Sequence, residues 1–155
     1  MRITDILQPD CVVVPLLAES KKEAIYALTD VLAAHTAIHD NEQLKLAVWK
    51  RELTRTTGIG HGIAIPHGKA KEVDHLQMAI GRPTEPIEFG AIDGRPVDLI
   101  LLLASPLDQT GPHIQALAKI SRMLTDDDFR SGLKSAENAQ GLYDMITRHE
   151  SETPV

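Results

Sequence analysis

Apolar positions change their period several times along the chain, and each change marks an expected element. Ala24, Ile25, Leu28, Val31 and Leu32 recur at helical spacing, which predicts one helix with a single apolar face running to about His35. Ser20-Lys21-Lys22-Glu23 sets its start: a hydroxyl at the N-cap and a carboxylate three residues on satisfy two orphan backbone donors reciprocally. A second helix is expected after Asn41. Leu44, Ala47 and Val48 share one side of it, and Lys50-Arg51 lie near its C-terminal end, where cations suit the helix dipole. It should stop by Gly58.

Beyond that point the apolar runs become short and extended. Gly62 to Ile65, Leu76 to Ile80 and Val97 to Ala104 are separated by turn signals such as Asp93-Gly94-Arg95-Pro96, which predicts strands. Val12, Val13 and Val14 beside Cys11 read as a further buried strand. Pro112 suits the first turn of a third long helix, with Ile114, Leu117, Ala118 and Leu124 along one face. A last helix is expected around Leu142 to Ile146, and polar Ser151 to Val155, containing Pro154, reads as a frayed tail. Helices that precede, interrupt and follow strands imply a mixed α/β domain of layers spanning residues 1–150, with no internal repeat.

Composition narrows what such a domain does. A 43% hydrophobic content in 155 residues suffices for one core. The formal net charge of −6 leaves no basic footprint for nucleic acid, and an aromatic content of 3% removes the stacking platforms of a single-strand binder. The run Val97 to Ala104 is well short of the roughly 20 residues needed to cross a bilayer, so no direct membrane insertion is expected. Met1-Arg2-Ile3-Thr4-Asp5 shows no basic leader followed by an apolar core, and Cys11 has no internal disulfide partner. Both point to the cytoplasm.

The chemistry concentrates between Arg51-Glu52 and Gly68. In Thr57-Gly58-Ile59-Gly60-His61-Gly62 the glycines permit tight turns, and Ile63-Ala64-Ile65-Pro66 then delivers His67 at a strand end with Gly68 beside it. A neutral imidazole presented in this way is a nucleophile, and its phosphorylated form is able to pass the group on. Taken singly, His67 reads as a surface or structural histidine, His113 as a residue near a helix start, and Arg51 as a solvated cation. His35, His39, His75 and His149 match no motif.

The string Gly62 to Gly68 closely resembles the active-site segment of the mannitol/fructose and nitrogen-regulatory IIA family of the bacterial phosphotransferase system. Arg51 matches that family's functional arginine, and Gly111-Pro112-His113-Ile114-Gln115-Ala116-Leu117-Ala118 matches its second histidine region. The resemblance implies a three-layer α/β/α sandwich around a mixed sheet, with His67 as the phosphorylated residue. His113 and Arg51 would assist as donors to the phosphoryl oxygens, Arg55 being a second candidate for the cationic role. Gly60, Gly62 and His61 are further candidates for the phosphoryl environment. At position 61 related sequences often carry Asn or Glu, so His61 would either titrate near the site or make only a hydrogen bond within the turn.

The implied donor is an HPr-type histidine carrier charged from phosphoenolpyruvate through an enzyme I, and no cofactor is implied. The wording around His67 is closer to nitrogen-regulatory members, whose targets include potassium transporters and sensor kinases. The alternative within the family is a sugar-transporter IIA unit that passes phosphate to a separate IIB cysteine. Two rivals come from other classes. One is a metallohydrolase using His61, His67 and His113, although no H-E-x-x-H helix accompanies them. The other is an interaction module, for which the presentation of His67 would have no purpose.

Overall fold

In the computed structural model, residues 1–36 and 38–152 are described. A 3-10 turn at Ile3–Asp5 leads into strand β1 (Leu7–Leu16), followed by helices α1 (Lys21–His35) and α2 (Asn41–Thr54). Three short strands come next, β2 (Gly58–Gly60), β3 (Ile63–Ala64) and β4 (His67–Lys69), and then the longer β5 (Gln77–Pro83) and β6 (Leu99–Ser105). Helices α3 (Thr110–Met123), α4 (Asp127–Ser135) and α5 (Ala139–Glu152) complete the chain. The sheet order is β1-β5-β6-β3-β2, with β4 also on β6. The β1–β5, β3–β6 and β4–β6 pairs are parallel, whereas β5–β6 and β2–β3 are antiparallel, so the sheet is mixed.

Helices cover both faces of the sheet, which is why β6 shows no alternation. All seven residues of Leu-Ile-Leu-Leu-Leu-Ala-Ser are buried, as expected for a strand with no wet face. Truncating one of its leucines, such as Leu102, to Ala should cost about 2–5 kcal/mol through lost burial and the cavity left behind.

Local signals place most of the boundaries. Ser20 caps α1 by accepting from Glu23 N at 3.1 Å, but the Glu23 carboxylate reaches back to Glu19 N rather than to Ser20 N. Asp40 caps α2 by accepting from Glu42 N and Gln43 N, and the helix ends at Thr54, ahead of Gly58 as expected. The extended run through Gly62 to Ile65 is shorter than expected. Pro66 has no N–H for a ladder, so the strand is interrupted at Ile65-Pro66 and resumes in β4 in the same register along β6.

Two elements depart further from expectation. The buried face of α3 is His113, Ala116 and Ile120, continued by Leu124, whereas Ile114 is 59% exposed and Ala118 is also exposed. The helix is thus turned by about one residue, or about 100°, from the apolar face read in the sequence, because the buried histidine in its first turn belongs to the inner face. Helix α4 was not expected. Asp126 caps it by accepting from Phe129 N, and Phe129 and Leu133, four apart, bury its inner side. At the C-terminus, Ser151 and Glu152 form the last turn of α5, and residues 153–155 of the expected tail lie outside those described.

Candidate functional site

His67 opens β4 opposite Leu103 of β6. Strand periodicity puts Gly68 on the other face, where an added Cβ would meet the backbone of Val48 in α2 at 3.0 Å. Glycine is therefore required there for α2 to lie against the strand. His67 and Lys69, two apart, share the face toward α3, and Lys69 Nζ donates to Thr110 Oγ1, the first residue of α3, at 3.4 Å.

One turn into α3, His113 comes to meet His67. The two rings lie 5.4 Å apart between centroids at an interplanar angle of 58°. His113 is only 5% exposed, and its Nδ1 is 2.6 Å from Oγ of the fully buried Ser105 at the end of β6. His67 is partly buried, with its Nδ1 2.8 Å from the carbonyl oxygen of Ile65. A carbonyl only accepts, so Nδ1 carries the proton and donates, which leaves the ring's lone pair on Nε2.

Electrostatics keep both rings uncharged at neutral pH. Burial, reinforced by the positive charges of Arg51 and Lys69, lowers the His67 pKa below the ordinary imidazole value, against the opposing effects of the Ile65 carbonyl and the Glu52 carboxylate. His113 is pushed down to about 4 by burial first, then by His67 and Lys69. The arrangement presents a nucleophilic nitrogen, a second neutral imidazole and two cations, as phosphoryl transfer requires.

Not every expected residue converges here. Arg51 acts on His67 through its charge while its Nη1 donates to the Arg55 carbonyl at 2.9 Å. Arg55 sits at the exposed end of α2, and its backbone carbonyl accepts that bond. Gly60, His61 and Gly62 form the β2–β3 turn with φ of 98°, 57° and 76°. They lie beyond Ile63, which is four register positions from His67 along β6, or about 13 Å of strand. The turn is held instead by Asp93, which accepts from His61 N, and by Lys134, which donates to the His61 carbonyl and pairs with Asp98. Hence His61, His67 and His113 do not gather as a metal-hydrolase reading requires, and the described residues contain no group of three metal-ligating side chains.

Sequence reasoning missed three contributors. Lys69 was recoverable from the period of two that puts it on the face of His67. Ser105 had a fainter signal, as the polar residue ending an otherwise apolar strand. Glu52 falls four and eight residues after Val48 and Leu44, on the buried face of α2, where a carboxylate demands partners.

A paired-imidazole site on a mixed-sheet α/β/α domain defines a class that comparison with known proteins makes specific. The profile of the family described as "Phosphoenolpyruvate-dependent sugar phosphotransferase system, EIIA 2" matches residues 5–149, and the chain belongs to that family. It is 35% identical over 146 residues to a "Nitrogen regulatory protein" of Bradyrhizobium diazoefficiens, covering 94% of this chain and 95% of that one. It is 30% identical over 150 residues to a "PTS system fructose-specific EIIABC component" of Bacillus subtilis, covering 97% of this chain but 24% of that protein. Among solved structures, nitrogen regulatory protein IIA-Ntr from Neisseria meningitidis superposes with a TM-score of 0.84 at 29% identity, covering 93% of this chain and 98% of that one. The chain is a phosphotransferase-system IIA domain, and no described helix is long and apolar enough to cross a membrane.

Proposed function

We propose that residues 1–150 form a cytoplasmic phosphohistidine carrier that takes a phosphoryl group from an HPr-type histidine carrier onto Nε2 of His67. The observation that carries this reading is the bond from His67 Nδ1 to the Ile65 carbonyl, which leaves Nε2 as the nucleophile beside His113. In the transfer, the Nε2 lone pair forms the new N–P bond. The N–P bond of the carrier's phosphohistidine, whose ring carries a proton on its other nitrogen, breaks, and its electrons return to that imidazole, which leaves neutral. Nδ1 keeps its proton throughout, so no general base is needed. With the Ser105 hydroxyl donating to His113 Nδ1, the Nε2–H of His113 faces the phosphoryl oxygens as a donor, and Arg51 and Lys69 supply charge.

The output is regulatory: phosphorylation adds about −1.5 to −2 charges at the surface around His67. A partner packed there must desolvate that charge, so a complex with the unmodified protein weakens unless the partner supplies Arg or Lys. The nitrogen-regulatory relatives support a regulatory output, and the resemblance of the His67 segment implies potassium transporters and sensor kinases as its target classes. The fructose-specific relative supports the second reading, a sugar-transport IIA unit.

Incubation with phosphoenolpyruvate, enzyme I and an HPr-type carrier should add one acid-labile phosphoryl group to the wild type and none to His67→Ala. Full labelling of His67→Ala rejects the assignment. Rapid passage of the label to a separate IIB cysteine, with equal affinity of both forms for every recovered target, would favour sugar transport over regulation.

A further inference from the structure

We propose that Glu52 is a positioning residue that fixes the tautomer of His67 from the far side of the glycine-rich segment, through Thr57 and Ile65. The inference rests on the reading of His67 as the phosphoryl acceptor, and it concerns what holds that acceptor ready.

Glu52 has no exposed side-chain surface, yet it is a carboxylate. Such a group is tolerated only with its acceptor capacity filled. Its Oε2 accepts from Thr57 N at 2.9 Å and pairs with Lys21 Nζ at 2.9 Å, and its Oε1 accepts from Thr57 Oγ1 at 2.5 Å. Lys21 also donates to the Phe89 carbonyl at 3.1 Å, and Thr56 Oγ1 donates to the same carbonyl at 2.6 Å. Gly58 N in turn donates to Thr56 Oγ1 at 3.1 Å. The peptides on both sides of Thr57 are thereby held in fixed planes.

What those planes hold is the site. The Thr57 carbonyl accepts from Ile65 N at 3.1 Å, at the point where the chain leaves β3 before Pro66. The carbonyl of that same Ile65 accepts the Nδ1–H of His67 at 2.8 Å. An unbroken run of hydrogen bonds therefore leads from Lys21 and Glu52 through Thr57 and Ile65 to the imidazole. If Ile65 rotates, Nδ1 loses its acceptor, the proton is free to move to Nε2, and the nucleophilic lone pair moves to the wrong nitrogen. The charges bearing on His67 are those of Arg51, Lys69 and Glu52, with His113 alongside, and Glu52 is the acidic one among them. Its removal thus also leaves the cations unopposed.

The test is the ring ¹⁵N spectrum of His67 in uniformly labelled protein at a pH where it is neutral, together with the rate of phosphoryl exchange with an HPr-type carrier. Wild type should show a pyrrole-like Nδ1 and a pyridine-like Nε2. Glu52→Gln should move both signals toward the averaged position and slow exchange on the order of tenfold, the size of one lost charge-assisted bond. Thr57→Val, which keeps the backbone donor and loses the hydroxyl, should shift them partway, and it decides the matter if Glu52→Gln does not fold. Glu150→Gln is the control for a buried carboxylate far from the site, and should leave both readouts as in wild type.

The proposal is overturned if folded Glu52→Gln keeps the wild-type tautomer, even with slower exchange, or if Glu150→Gln moves the signals as much. The two readings fail separately. A tautomer shift in Glu52→Gln, with no phosphoryl group accepted by the wild type, retains the positioning role and rejects the carrier.

Discussion

Glu52 and Glu150 are the same device used at two places. Each is a buried carboxylate that accepts from a backbone N–H and a threonine hydroxyl and pairs with a lysine. Glu150, near the end of α5, takes Ile3 N at 2.5 Å, Thr4 N at 3.1 Å and Thr4 Oγ1 at 3.0 Å, with Lys119 Nζ at 3.7 Å. Lys119 itself donates to the Met1 carbonyl, so α3, α5 and the chain's start are joined. At Glu52 the peptide held next leads to His67, whereas at Glu150 it leads to a 3-10 turn bearing no reacting group. The difference teaches that a buried ion pair acquires a function from what its hydrogen-bonded partners touch, not from its own geometry.

Stability should separate the two first and most strongly. Glu52→Ala leaves the Thr57 donors unpaired in the interior and Lys21 without its counter-charge, at a cost of about 3–5 kcal/mol. Glu150→Ala breaks a looser ion pair, 3.7 Å against 2.9 Å, so the loss should be nearer about 1–3 kcal/mol. Urea unfolding of both variants measures the gap, and equal losses would break the comparison.

A kinetic cycle sharpens it. Ser105→Ala releases the other imidazole and should slow phosphoryl exchange by about 1–2 kcal/mol, or roughly 5–30-fold. With ring centroids 5.4 Å apart, its effect and that of Glu52→Gln should not add independently, because in the proposed transfer both rings serve one transition state. Glu150→Gln combined with Ser105→Ala should react at the Ser105→Ala rate. Coupling with Glu150 equal to that with Glu52 would erase the distinction.

Acid adds a separate effect whose sign follows from His113. Its folded pKa of about 4 lies below the ordinary imidazole value, so between pH 6.5 and 4 the unfolded chain binds the proton and the native state does not. The contribution is fully present above the unfolded value, declines as pH falls through that window, and changes no further below about 4. His113→Asn should flatten this part of the stability profile. Denaturant titrations of this variant and the wild type at stepped pH read the change.

How far the sequence foretold these regions depends on the kind of signal each carries. Unbroken apolarity marked β6, and a contiguous motif marked His67. His113 was placed by resemblance, but its burial was not, because a histidine in the first turn of a helix looks polar until Ser105 is known to sit beneath it. The resulting rotation of α3 exposed Ile114. Glu52 was in view beside Arg51 and still unread, since its partners Lys21 and Thr57 come from separate segments, one of them 31 residues away. Hydrogen bonds between distant segments leave no periodicity to read.

The smallest effect is expected at the residue whose position looks most suggestive. His61 stands six places before His67 in the glycine-rich string, much nearer than Glu52. Its φ of 57° costs a side-chain-bearing residue about 1–2 kcal/mol, whereas glycine adopts this conformation freely. His61→Gly relieves that strain, but it raises the conformational entropy of the unfolded chain by a comparable amount, about 0.4–1 kcal/mol. The net change in stability should therefore be within about 1 kcal/mol, on the stabilising side. The bonds to Asp93 and Lys134 use the backbone of residue 61, so they survive the loss of the imidazole. No hydrogen bond runs from this turn to the Ile65 carbonyl among those of the described residues, and the exchange rate should stay at the wild-type value across pH 6 to 8. A rate loss approaching that of Glu52→Gln would mean that nearness along the chain, rather than the hydrogen-bonded route through Thr57 and Ile65, governs the readiness of His67.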